Sequence, residues 1–96
     1  MSSAYIIANV QVTDPAQYED YKKLSSIAMQ AHGAEVCVRG GAADVLEGDW
    51  QPERLVVLKF KSVANARAFY DSVEYSRARQ AREGAAMMRM VVVEGL

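Results

Sequence analysis

Apolar and polar positions alternate from Tyr5 to Val12. Ile6, Ala8, Val10 and Val12 form one face, and Tyr5, Ile7, Asn9 and Gln11 form a mixed second face. This period of two predicts a strand. The period then lengthens: Tyr18, Tyr21, Leu24, Ala28 and Ala31 lie three or four residues apart, as on the apolar stripe of a helix. Thr13-Asp14-Pro15 supplies the cap and early proline that start such a helix, and Gly33, just after His32, supplies its stop. Glu35 to Arg39 reads as a second strand, with Val36 and Val38 on one face and Cys37 and Arg39 on the other. Gly40-Gly41 marks a bulge or bend, after which the strand is expected to resume through Asp44-Val45-Leu46-Glu47. Gly48 to Pro52 reads as a loop, and Arg54 to Lys61 as a third strand whose Leu55-Val56-Val57-Leu58 run is apolar on both faces. Ser62 caps a short helix to about Asp71, with Val63, Ala66, Phe69 and Tyr70 inward. Ser72, with Glu74 in the first turn, caps another helix ending near Gly84. Met87 to Glu94 is a fourth strand, apolar on both faces apart from Arg89 and Glu94.

The order β-α-β-β-α-β predicts an α+β, ferredoxin-like domain spanning residues 1–96, an antiparallel four-stranded sheet with its helices on one face. The patterning goes further. Helices cover only one face of this sheet, yet the third and fourth strands are apolar on both. At roughly 25 cal/mol per Å² of apolar area, leaving several Val, Leu and Met side chains in water forfeits several kcal/mol. A second copy of the sheet is the simplest cover, so the expected assembly is a face-to-face homodimer.

Composition narrows the partners. A formal net charge of -1 gives no global drive toward nucleic acid or an anionic membrane. No stretch approaches the length of an apolar membrane span, and Met1 to Ala4 carries no basic or apolar leader. The lone Cys37 has no disulfide or CxxC partner, which fits a reducing, cytoplasmic setting. With one histidine and one cysteine, and no Hx3H, HExxH or EF-hand pattern, no metal site and no cofactor are expected. GxSxG, P-loop and GxGxxG motifs are absent as well, which removes support for acyl-transfer hydrolases and nucleotide enzymes.

Several blocks occur together in order: Asn9 to Tyr21 (NVQVTDPAQYEDY), Val38 to Gly41 (VRGG), Leu46 to Trp50 (LEGDW), Pro52 to Arg54, Phe69 to Tyr75 (FYDSVEY) and Val93 to Gly95. Over essentially its whole length the chain resembles the domain of unknown function 1330 family. The resemblance implies a place in the dimeric α/β-barrel superfamily, where two ferredoxin-like sheets pack face to face and ligands sit between sheet and helices. It implies no particular reaction. Relatives in that superfamily include cofactor-independent monooxygenases, lactone isomerases, haem-degrading enzymes and ligand-sensing domains, so any catalysis is expected to be monooxygenase- or isomerase-like and cofactor-free.

The densest candidate chemistry runs from Arg39 to Arg54, with Glu47, Asp49, Glu53 and the only tryptophan around a Gly- and Pro-marked turn. Charges so gathered are costly unless paired, solvated or used on a ligand. Arg39 and Arg54 can clamp an anion, or they can form ion pairs with Glu47 and Asp49. Trp50 can wall an aromatic ligand or pack in a dimer interface. On the last helix Tyr75, Arg79 and Arg82 share a face that can hold an anion, or its arginines answer the helix dipole. His32 can serve as a general base or as a helix cap, and Asn9 can line a cavity from the mixed strand face. The resulting expectation is a small anionic, aromatic-type metabolite held by Asn9, Arg39, Trp50, Arg54, Tyr75 and Arg79, with His32 and Glu47 as proton-moving groups. The alternative is a non-catalytic sensing or structural dimer module in which the same charges cement the interface.

Overall fold

The structure is a computed structural model and describes residues 2–96. Its elements are β1 (Ala4–Val12), α1 (Pro15–Ala31), β2 (Glu35–Arg39), β3 (Arg54–Phe60), α2 (Val63–Tyr70), α3 (Val73–Ala81) and β4 (Ala86–Glu94). The strands form one antiparallel sheet in the order β2-β3-β1-β4, the ferredoxin-like arrangement. Each helix starts where its cap chemistry sits. Asp14 accepts from the Gln17 N–H ahead of Pro15, and Ser62 and Ser72 accept from the N–H groups of Asn65 and Tyr75.

Helices cover one face of the sheet. Ile6, Ala8 and Val10 of β1 and Leu58 and Phe60 of β3 meet Tyr18, Tyr21, Ala28 and Met29 of α1, Phe69 of α2 and Tyr75 and Ala78 of α3 in a single core. On the opposite face Ile7 lies between Val57 and Val91 in register, with Tyr5 beside Val93 and Gln11 beside Met87. Met87, Val91 and Val93 are 66%, 58% and 45% exposed in the single chain, so an apolar sheet face stands open. The two-sided apolar patterning of β3 and β4 therefore has the consequence expected of it.

Two expectations are corrected. The alternation expected from Glu35 to Arg39 is broken by a bulge at Cys37, while Gly40 makes the expected bend: Val36 pairs with Leu58, but Val38 pairs with Val57. One extra residue reverses the alternation, because side chains in a strand have a period of two. Val38 therefore joins the open face, and Arg39, opposite Val56, turns to the helix face. Nor does the strand resume through Asp44 to Glu47; residues 41–53 form no strand and are mostly exposed. The physical reason is pairing. β2 is an edge strand whose only neighbour, β3, begins at Arg54, so the segment has no strand beside it within the chain.

Candidate ligand site between α1 and the sheet

Two arginines reach the same hollow from neighbouring strands. Arg54 opens β3 opposite Val10, so its side chain lies on the helix face, with its guanidinium 5.7 Å from the centre of the Tyr18 ring. Arg39 arrives there through the Cys37 bulge and donates from Nη2 to Ser26 Oγ of α1 at 2.8 Å, with a longer approach of 3.5 Å to the Lys22 carbonyl. The chain around them is shaped to fit. Gly40 has φ +75°, bonds its N–H to the Leu55 carbonyl at 2.7 Å, and lies so close to the Arg54 guanidinium that a Cβ there would collide with it.

Lys22, Lys23, Ser26, Arg39, Arg54 and Glu19 line an open bowl of about 440 Å³. Its single carboxylate is engaged by Lys22 at 2.9 Å, and that bond is the main cause holding the Glu19 carboxyl below its ordinary value. Among the described residues neither Arg39 nor Arg54 has a carboxylate within 4.0 Å. The alternative ion pairs with Glu47 and Asp49 are thus not formed. Arg54 Nε is buried without a partner.

Beneath the bowl lies a cavity of about 20 Å³, which shares Lys22, Arg39 and Arg54 with it and is walled by Tyr18, Met29, Phe69, Met88 and Met90. Tyr21 and Tyr75 line this cavity as well, and their hydroxyls stand 2.7 Å apart. The Arg82 guanidinium lies 5.6 Å over the Tyr21 ring. Burial pushes the Tyr21 phenol well above the usual tyrosine range, and the neighbouring Tyr75 adds to the effect. Burial also raises the Tyr75 phenol, outweighing its bond with Tyr21 and the nearby Arg82.

The other candidates lie elsewhere. Asn9 is on the open face of the sheet, where its Oδ1 accepts from the Glu53 N–H at 3.2 Å. Glu47 and Trp50 belong to the exposed segment between β2 and β3. His32 caps α1, with Nε2 3.0 Å from Glu74 Oε1 and its ring edge-on to Phe69. Arg79 stacks on Tyr70 at 4.4 Å and donates to Ser76. Of the residues singled out from sequence, the fold brings together Arg39, Arg54 and Tyr75 and separates Asn9, His32, Glu47, Trp50 and Arg79 from them. Lys22, Lys23 and Ser26 escaped sequence reasoning. Lys22 and Ser26 follow Tyr18 at successive intervals of four, a helical stripe that could have shown them.

Among the described residues no helix is long and apolar enough to cross a membrane, and no three His, Cys, Asp or Glu side chains are grouped to hold a metal ion. The fold recurs in solved structures. A protein of unknown function from Rhodopseudomonas palustris superposes with a TM-score of 0.75 at 19% identity, covering 99% of this chain and 83% of that one. SnoaB from Streptomyces nogalater, described as a cofactor-independent oxygenase, gives 0.67 at 11% identity, covering 97% and 92%. A dimeric ferredoxin-like protein of unknown function from Thermobifida fusca gives 0.63 at 18% identity, covering 99% and 92%. Among curated proteins none matches the sequence. Residues 3–96 match the family model described as a domain of unknown function, DUF1330, and the chain belongs to that family.

Proposed function

We propose that the protein binds a small anionic metabolite between α1 and the sheet, with Arg39 and Arg54 holding the anion. One observation carries this reading: two guanidinium groups converge on one bowl with no carboxylate at ion-pair distance among the described residues. Such an arrangement leaves positive potential for an outside anion, and guanidinium forks suit a carboxylate or phosphate. The wall beneath suits a ring-bearing body. Its cavity is small, but Met29, Met88 and Met90 are unbranched and can move aside at low cost. His32 and Glu47 line neither bowl nor cavity, so this reading gives them no proton to move. The fold shared with SnoaB supports a cofactor-independent oxygenase-like step in the same cleft, without assigning a residue to it.

A thermal-shift screen of small carboxylates and phosphates tests the binding. A ligand of the folded state raises the melting temperature with concentration, following RT ln(1 + [L]/Kd). The expected result is a shift with some acids that disappears in the Arg39→Ala/Arg54→Ala double variant. A flat response across the acids overturns the reading.

A second element concerns assembly. We infer that the open face, built around Ile7, Val38, Val57, Val91 and Val93, is covered by a second copy of the chain. An open apolar sheet face is unusual on a monomer, and a twofold pairing covers it with the same patch of a second copy. The dimeric ferredoxin-like protein from T. fusca supports the same reading. The segment between β2 and β3 joins this interface, since the Glu53 bond to Asn9 ties its end to the open face while Leu46 and Trp50 stand 97% and 59% exposed. Charges cementing the interface would have to come from this segment and from Glu35, Lys59 and Arg89, because Arg39 and Arg54 lie on the helix side. Light scattering should give twice the chain mass for the native protein and the single mass for Val91→Glu; a monomeric native protein refutes the pairing.

A further inference from the structure

The Tyr21–Tyr75 pair carries a donor that the protein itself does not use. Each phenol has one proton. The bond between the two hydroxyls uses one, and among the described residues no further acceptor meets either oxygen. Arg82, the nearest charged group over Tyr21, can only donate. Tyr21 and Tyr75 are 6% and 1% exposed, so bulk water does not serve the spare proton. Each oxygen has its hydrogen-bond partner in the other, and what remains is one proton without an acceptor. The cavity lined by both phenols is about 20 Å³, room for a single accepting oxygen atom, and Arg39 and Arg54 line it too.

We propose that the Tyr21–Tyr75 pair recognises a carbonyl, phenol or phenolate oxygen on the same molecule whose anionic group Arg39 and Arg54 hold. The ligand class is thereby narrowed to two-ended molecules: an aromatic or similarly flat acid with an oxygen substituent opposite its carboxylate. The carboxylate stays in the basic bowl, the ring lies along the methionine and aromatic wall, and the distal oxygen accepts the spare phenol proton. Arg82 adds positive potential beside that oxygen and favours its anionic form. This inference rests on the anion-site reading above and specifies the far end of the same site.

The test uses benzoate, phenylacetate and 3-phenylpropionate, each with and without a para-hydroxyl, titrated by calorimetry into the full chain. At least one hydroxylated acid should bind about tenfold more tightly than its parent, the factor expected when a buried donor gains its acceptor. The Tyr21→Phe/Tyr75→Phe double variant keeps both rings and removes both donors, and it should shrink that preference to about twofold or less, with the parent acid bound as before. Arg39→Ala should weaken both members of the pair alike. A near-UV difference spectrum of the native protein supplies a readout that needs no variant: the hydroxylated acid should perturb the buried tyrosine absorption and its parent should not. If the acids bind without any preference for the hydroxyl, or the preference survives in the Tyr21→Phe/Tyr75→Phe variant, the inference is overturned while the anion site stands. If none of the six acids binds, the inference falls, and the anion site falls with it only if the wider screen of carboxylates and phosphates is flat as well.

Discussion

Substituting Gly40 with alanine tests the site through a residue that touches no ligand. The backbone there has φ +75°, a left-handed conformation that costs a non-glycine residue about 1–2 kcal/mol. For a domain of this size each kcal/mol lowers the melting temperature by about 4–8 °C, so strain alone predicts a drop of roughly 4–15 °C. A second effect is specific to this glycine. The added Cβ collides with Nη1 and Cζ of Arg54, the mobile end of a long side chain, which must swing away from its place over Tyr18. Moving it is cheap for folding but removes one of the two guanidiniums from the bowl. A charge-assisted hydrogen bond is worth about 1.5–3 kcal/mol, so acid binding should weaken at least about tenfold. Two other glycines separate the effects. Gly48, at φ +86° with nothing within 4 Å of an added Cβ, carries strain alone, and Gly41, also open and without a left-handed φ, carries neither. Calorimetric melting and titration of an aromatic carboxylate into Gly40→Ala, Gly41→Ala and Gly48→Ala should therefore show destabilisation in the first and third and weakened binding only in the first. Undiminished acid binding by Gly40→Ala would refute the role given to Arg54.

Three further outcomes follow from the same geometry. Ser72→Ala removes the cap of α3, where Oγ accepts from the Tyr75 N–H and donates to the Phe69 carbonyl, and should cost about 1 kcal/mol, read as a fall of about 4–8 °C in thermal melting. Glu74 is held below its ordinary pKa, first by its bond with His32; a carboxylate depressed in the folded state contributes stability above its unfolded pKa and loses it as pH falls through the folded value. His32→Ala should accordingly flatten the fall in melting temperature on acidification through the carboxylate range, and an unchanged acid limb would disprove the coupling. At the alkaline end the raised Tyr21 and Tyr75 phenols stay protonated in the folded chain while unfolded tyrosine ionises near about pH 10, so stability is intact below that pH and declines above it. Absorbance titration should show these two of the five tyrosines ionising only as the chain unfolds, with circular dichroism recording the unfolding.

Much of the fold was legible because it rests on local chemistry. Asp14, Ser62 and Ser72 cap the helices that their residue types announce, and the change from a period of two to one of three and four separates β1 from α1. The apolar alternate positions of β3 and β4 likewise announced a sheet with two buried-type faces. The site was less legible because its contacts are long-range. Tyr21 and Tyr75 are 54 residues apart and meet only because α1 packs against α3; His32 and Glu74 meet across the same two helices, 42 residues apart. The charged stretch from Arg39 to Arg54 looked like one cluster for the opposite reason, since nearness along the chain says little about a segment with no strand to pair with. The fold divides it, carrying its two end residues to the helix side and leaving Glu47, Asp49 and Trp50 exposed between them.

The division turns on Cys37. With regular alternation from Val36, Arg39 would stand on the open face beside Leu55, and a second sheet packed there would bury its charge with Arg54 on the far side. The bulge inserts one residue, and the next side chains exchange faces: Val38 completes the apolar surface and Arg39 joins Arg54 above the cavity. No glycine marks the spot, because a bulge is a property of two paired strands rather than of one residue type, and β3 supplies the other half. A single irregularity thus places an apolar side chain on the face available to a second copy and a cation on the face available to a ligand. This lets a domain of 96 residues use both sides of one sheet.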